Sequence, residues 1–210
     1  MSANETMNVS PTGGTKAGNL ERYDLIPAVP LRKLAIYAGL VPIGKPGSFS
    51  ELNAHLWRFW LGEDVQPTTE YEHLIAVAWH AFRLVEDNVM PPKPWPHDTS
   101  EGGLTRERYD RIPAEPLRML AEHYGRGARK YADDNWRRGY DWRLSFAALN
   151  RHLWQWWAGE EIDAETGSPH LIAVAWHAFT LAEFVEIHPE FDTRLKTLDE
   201  RAIRAAADDA

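Results

Sequence analysis

The chain has 210 residues, 44% hydrophobic and 26% charged, with a formal net charge of -8 and no Cys. That is length for one or two packed domains of ordinary globular composition. The acid excess excludes a general binder of duplex nucleic acid, which needs a basic footprint. The lack of Cys excludes disulfides and thiolate chemistry, with a reducing cytoplasm as the expected compartment. No stretch reads as a membrane span or a hydrophobic signal core.

Residues 1–19, rich in Ser, Thr, Gly and Asn, read as a disordered leader. Order is expected from Arg22-Tyr-Asp-Leu-Ile-Pro27, whose counterpart is Arg108-Tyr-Asp-Arg-Ile-Pro113 at an offset of 86. In each, a following proline (Pro30, Pro116) opens a helical pattern. The first helix is cut off by Val41-Pro-Ile-Gly-Lys-Pro-Gly47. The second runs on through Leu120, Tyr124, Ala128 and Tyr131 into Asp133-Asp-Asn-Trp-Arg-Arg-Gly139. Beyond this point the offset is 97, so the first copy lacks eleven residues in one place.

Two further helices, near 52–61 and 144–158, share His-Leu-Trp-x-x-Trp-x-Gly-Glu (His55 to Glu63, His152 to Glu160), with Gly62 and Gly159 as stops. Then HLIAVAWHAF occurs twice, at His73–Phe82 and His170–Phe179. In both, two histidines seven apart fall on one helical stripe. The fold expected is all-α, with two related units packed around a pseudo-twofold axis, because one unit has too little core to stand alone. The boundaries are a leader at 1–19, a shortened helical repeat at 20–90 and a Pro-rich linker at 91–103. A complete repeat follows at 104–190, and an amphipathic helix at 191–210 ends the chain.

Three groups of residues carry candidate chemistry. Glu160, Glu161, Asp163 and Glu165 crowd one loop, and hard cations bind through one or two carboxylates plus phosphate oxygens. The first copy has Gln66 and Thr68 in place of Asp163 and Glu165; the plainer reading is a solvated loop. Arg126, Arg129, Lys130, Arg137, Arg138, Arg143 and Arg151 reverse the local charge, which suits a polyphosphate. Trp136, Trp142, Trp154 and Trp156 could stack on a base. For any single Arg, solvation of a helix face is the simpler account; Lys130 with Asn135 and Trp136 favours function. The histidines (His55, His73, His80, His152, His170, His177) lack usual zinc-ligand spacing and read first as hydrogen-bonded core groups.

With these residues in view, the chain resembles the phage-associated dATP/dGTP diphosphohydrolase N-terminal-domain family. The resemblance rests on Arg108-Tyr-Asp-x-Ile-Pro113, Gly127-Ala-Arg-Lys-Tyr131, Asn135-Trp-x-x-Gly139, Arg151-His-Leu-x-x-Trp-Trp157 and Gly159-Glu-Glu-x-Asp-x-Glu-Thr-Gly-x-x-His170. It covers roughly 104–186, with 20–88 as a shortened copy. It implies metal-dependent cleavage of dATP or dGTP to a monophosphate and pyrophosphate. Glu160, Asp163 and Glu165 would hold Mg²⁺ or Mn²⁺. Lys130, Arg143 and Arg151 would face phosphates, with Asn135, Trp136 and Trp156 as further substrate contacts. His152, His170 and Glu160 would be catalytic, orienting water or substrate. Only one of the paired Glu-x-x-Glu/Asp motifs of all-α pyrophosphohydrolases is visible, as Glu160-x-x-Asp163.

The alternative is a non-catalytic sponge that sequesters a nucleotide signal of host anti-phage defence; a third reading is a partner-binding helical module. The partner expected is a small-molecule nucleotide, with no duplex nucleic acid and no membrane. A homo-oligomer through the helical faces is also expected, in the host cytoplasm if the chain is phage-encoded.

Overall fold

Each half starts with a 3₁₀ turn, Tyr23–Leu25 or Tyr109–Arg111, followed by an extended proline that enters a helix. In this computed structural model, which describes residues 6–9, 11–13, 15–66, 72–89, 107–194 and 200, those helices are α1 (Ala28–Leu40) and α4 (Ala114–Tyr131). α1 stops at Val41, where the Pro/Gly run begins. α4 is five residues longer (18 against 13) and is followed by a 3₁₀ turn at Asn135–Arg138. The extra eleven residues of the second half go here.

α2 (Phe49–Trp60) and α5 (Trp142–Trp157) come next. Ser48 caps α2 by accepting from the Glu51 N–H, and Asp141 caps α5 by accepting from the Arg143 N–H. Both helices end before a glycine with positive φ, Gly62 at 93° and Gly159 at 100°, a conformation open to Gly without strain. Single antiparallel bridges, Val65 with Glu72 and Ile162 with Pro169, close the following loops. They deliver the chain into α3 (His73–Val89) and α6 (His170–Ile187).

α3 and α6 form the most extensive helix–helix contact, with α2 laid on α3 and α5 on α6. One continuous apolar core results, including Phe59, Phe82, Trp142, Phe179 and Phe184. Contacts between halves come in reciprocal pairs at the 97-residue offset. Phe49 stacks on Trp157 (4.1 Å, 17°) and Phe146 on Trp60 (4.0 Å, 12°), while Phe82 meets Phe179 at 6.4 Å. Such exchange is the geometry of an isologous interface. Among the described residues α6 is the one helix long and apolar enough by composition to cross a bilayer, although the sequence shows no obvious span. With 72% of it buried, it is the central core helix.

The leader differs from expectation. Thr6–Val9 and Thr15–Gly18 pair as an antiparallel hairpin (β1 and β2), Thr6 opposite Gly18 and Val9 opposite Thr15. β-branched Thr6, Val9 and Thr15 favour strands, and Gly13 at φ 82° supplies the turn. The expected linker, 91–103, lies outside the described residues, as does the closing helix apart from residues 191–194 and 200.

Those last residues are tied to the first half. Arg194, 5% exposed, donates to the Phe59 carbonyl (3.1 Å), to Asp64 Oδ1 (2.5 Å) and to Asp192 Oδ2 (2.8 Å). Its guanidinium also lies 4.5 Å from the Phe59 ring centroid and 5.0 Å from that of Trp142. Truncating one member of a buried charge network strands the others, at about 3–5 kcal/mol. Because Asp64 is partly solvated, Arg194→Ala is expected to cost about 3 kcal/mol in urea unfolding. A cost below ~1 kcal/mol would mean that the tether does not support the fold.

Candidate functional site

The last turns of α4, the turn after it, α5, α6 and the loop before α6 line a cleft of about 860 Å³. Its lining is graded. The more exposed part carries Arg126, Lys130, Arg151, Asp163 and Glu165. The more buried part carries Tyr124, Trp136, Tyr140, Ser145, Trp176 and His177. Of the charged groups Lys130, Arg151 and Glu165 are exposed and Arg126 and Asp163 half-buried; of the others Tyr124, Trp136 and Ser145 are buried and Tyr140, Trp176 and His177 half-buried, while Tyr131, Asn135 and Leu144 are exposed.

At the exposed end, Lys130 Nζ lies 2.8 Å from Glu165 Oε1, and this carboxylate raises the lysine pKa further. Both side chains are well solvated, so the pair adds little to stability. Arg126 donates to Ser168 Oγ (2.5 Å), and Arg151 Nη2 lies 3.5 Å from His152 Nε2. Asp163 holds its own loop, accepting from the Thr166 hydroxyl (2.6 Å) and from the N–H groups of Glu165 and Thr166 (both 3.3 Å). Burial works against its charge, but the Thr166 hydroxyl and backbone amides keep its pKa below the ordinary range.

The imidazoles along the cleft are neutral at neutral pH. Burial pulls His123 and His152 down to about 4, and holds His177 well below its ordinary value. His123 Nδ1 is 2.8 Å from Ser168 Oγ. His177 Nδ1 is 3.2 Å from Ser145 Oγ, which is 2.9 Å from the Tyr140 hydroxyl. Neutral imidazoles and hydroxyls donate and accept without a charge to desolvate, the right equipment for a neutral polar group.

Of the residues expected from sequence, Arg126, Lys130, Asn135, Trp136, Arg151, His152, Asp163, Glu165 and His177 line this cleft. Arg129, Arg137, Arg138, Trp142, Trp154 and Glu161 are not among the lining residues, nor are the following four. Arg143 folds back on Asp141 at 2.5 Å, caught by a carboxylate two residues away. Trp156 turns toward the first half, among Phe49 and Trp157. Glu160 stands exposed outside the cleft with Oε2 3.8 Å from His170 Nε2. His170 is buried behind His152, their Nδ1 atoms 2.9 Å apart. An equivalent pair, His55 and His73 at 2.8 Å, occurs in the half without the cleft, so this pairing serves the fold.

Among the described residues no group of three or more His, Asp or Glu is arranged to hold a metal. The reason is geometric: Asp163 is committed to its loop, Glu165 to Lys130, and Glu160 lies elsewhere. A resident cation on all three carboxylates does not fit. Conversely, His123, Tyr140, Ser145 and Trp176 belong to the cleft without having been singled out from sequence. Comparison of the halves gives no signal for Ser145, whose counterpart is Ser48; the position that differs is Ala148, where the first half has Glu51.

These features define a protein with an all-helical body and an amphiphilic cleft lined, Leu25 apart, by the second half. Residues 96–194 match the family model described as dATP/dGTP diphosphohydrolase, N-terminal. Every residue lining the cleft except Leu25 falls inside that match. No curated protein and no solved structure gives a significant match to the chain.

Proposed function

We propose that the cleft binds a purine deoxynucleoside triphosphate and that the protein hydrolyses it to the monophosphate and pyrophosphate. The observation that carries this reading is the gradient along the cleft. A nucleotide has a flat, nearly neutral base at one end and a polyanion at the other, and the lining has the complementary order. The volume suits such a ligand, since small-molecule pockets run to about 300–1,000 Å³. Lys130, Arg126 and Arg151 supply the positive charge for the triphosphate. Mg²⁺ or Mn²⁺ would arrive on the triphosphate, because phosphate oxygens and water complete a hard cation's shell when the protein offers only one or two carboxylates. Asp134, Asp163 and Glu165 are the carboxylates on the cleft wall, the last two on one loop.

A second reading, binding without turnover, is favoured by the prior engagement of both loop carboxylates, Glu165 by Lys130 and Asp163 by Thr166. Incubation with each of the four dNTPs, with Mg²⁺ and with EDTA, followed by chromatography, separates the two. Turnover of dATP and dGTP but not the pyrimidines, stopped by EDTA, is the expected result. Tight binding with no pyrophosphate would establish the second reading, and no binding of any nucleotide would overturn both.

A further inference from the structure

The two halves place the same histidine in different company. In the first half, Glu51 Oε2 lies 2.9 Å from His80 Nε2 and 2.6 Å from Lys45 Nζ. In the second half the equivalent of His80 is His177, and the equivalent of Glu51 is Ala148. The imidazole frame is unchanged: His80 stacks on His55 at 6.2 Å and His177 on His152 at 6.0 Å. The carboxylate that faces Nε2 of His80 has no counterpart beside His177, whose Nδ1 instead meets Ser145 Oγ, and both His177 and Ala148 line the cleft.

We infer that a bound nucleotide fills that place, with His177 Nε2 donating a hydrogen bond to a ring nitrogen of the purine base. The inference rests on the nucleotide reading above. The hydrogen-bond chain admits the tautomer this contact needs, since Ser145 Oγ can donate to His177 Nδ1 as well as accept from it. Burial keeps the Tyr140 phenol protonated, so it can donate to Ser145 Oγ, and Ser145 to His177 Nδ1. In that tautomer the remaining proton is on Nε2, the nitrogen that faces a carboxylate in His80. Among the described residues Ser145 is His177's only hydrogen-bond partner, so the Nε2 donor is available to a ligand.

Phosphate does not suit this position. The lining cations sit on the more exposed wall, and a polyanion against neutral groups in a buried pocket would lose its solvation without compensation. A base gains the rings of Trp136 and Trp176 as apolar walls and His177 as the polar anchor. His177 and the Ser145 that orients it are thus specificity-determining, and the triphosphate points outward.

The test measures equilibrium binding of dATP, its 1-, 3- and 7-deaza analogues, and inorganic tripolyphosphate. Wild type is expected to bind one deaza analogue about tenfold more weakly than dATP, the effect of one neutral hydrogen bond. His177→Phe should bind dATP about tenfold more weakly and treat that analogue and dATP alike. His177→Gln, whose amide reaches a similar position, should recover the discrimination. Tripolyphosphate binding should be unchanged in both variants, which also shows that they fold. If wild type binds dATP but does not distinguish any analogue, or if His177→Phe keeps the discrimination, this inference falls while nucleotide binding stands. If tripolyphosphate binding falls with dATP binding, His177 contacts phosphate and the orientation is wrong. If neither dATP nor tripolyphosphate binds, the nucleotide reading falls too.

Discussion

Acidification from pH 7 toward pH 4 is expected to unfold the protein, with most of the loss above the range in which carboxylates titrate. Burial pulls His55, His80, His123 and His152 down to about 4, and lowers His73 and His177 as well. In the unfolded chain an imidazole titrates near 6.5. The sign follows. Below about pH 6.5 the unfolded chain takes up protons that the folded state refuses, so the stabilisation is complete above that pH and is lost down to about pH 4. A shift of this size amounts to roughly 3 kcal/mol per histidine at pH 4. Four such groups together reach the whole net stability of an ordinary domain, about 5–15 kcal/mol, so unfolding should be centred near pH 5. His188, raised by Glu190, acts in the opposite sense, but it is one group near the surface. Urea midpoints at pH 7, 6, 5.5 and 5 test this. A stability that stays level from pH 7 to pH 5 would mean that the buried imidazoles accept protons in place.

His55, His73 and His80 are not among the cleft-lining residues whereas His123, His152 and His177 are, so acid acts on the fold and on the cleft together. Burial also explains why the histidine pairs are hard to interpret from sequence. Two imidazoles on one apolar helix stripe look like ligands, yet His73 and His170 each point at a histidine on the preceding helix.

The helices were legible because their signals are local. Pro30 and Pro116 fall in the first turns of helices that start two residues earlier, the run from Val41 to Gly47 ends one, and Gly62 and Gly159 end two more. Much of the cleft was legible for another reason: Lys130, Asn135 and Trp136 lie in the segment the first half lacks, and Asp163 and Glu165 stand where it has other residues. What escaped depends on direction in space. Arg143 and Arg151 look alike in sequence, but Arg143 has Asp141 within reach, whereas Arg151 lies on the helix face of Ala148 and His152 and borders the cleft. Glu160 and Asp163 are three residues apart, yet the bridge at Ile162 turns the chain between them, and only Asp163 reaches the cleft. Arg194 pairs with Asp64 across 130 residues, and no sequence pattern announces such a contact.

Replacing Ala148 by glutamate is expected to abolish nucleotide binding while leaving the fold intact, the largest functional effect of any single change. The first half shows that the backbone accepts the residue: Glu51 occupies the equivalent place in α2, beside a histidine equivalent to His177. In the second half the new carboxylate would take the space assigned to the base and occupy the Nε2 donor. The position equivalent to Lys45 is Trp142, and the cation at i+3 on the same helix face is Arg151, which a carboxylate there would draw away from the phosphates. Loss of the anchoring contact, loss of volume and a negative charge in a cleft meant for a polyanion all act in one direction. At least a hundredfold loss of affinity is expected, about 2.7 kcal/mol. The stability change should be within ~1 kcal/mol, since Ala148 borders open space and the carboxylate gains an imidazole partner. Calorimetric titration with dATP, beside thermal unfolding of the same preparation, reads both quantities. The reciprocal change, Glu51→Ala, should create no second nucleotide site, because the first half has neither the last turns of α4 nor the 3₁₀ turn that wall the cleft. Should Ala148→Glu bind dATP within tenfold of wild type, the nucleotide does not enter the buried end of the cleft, and the gradient along its walls would need another explanation.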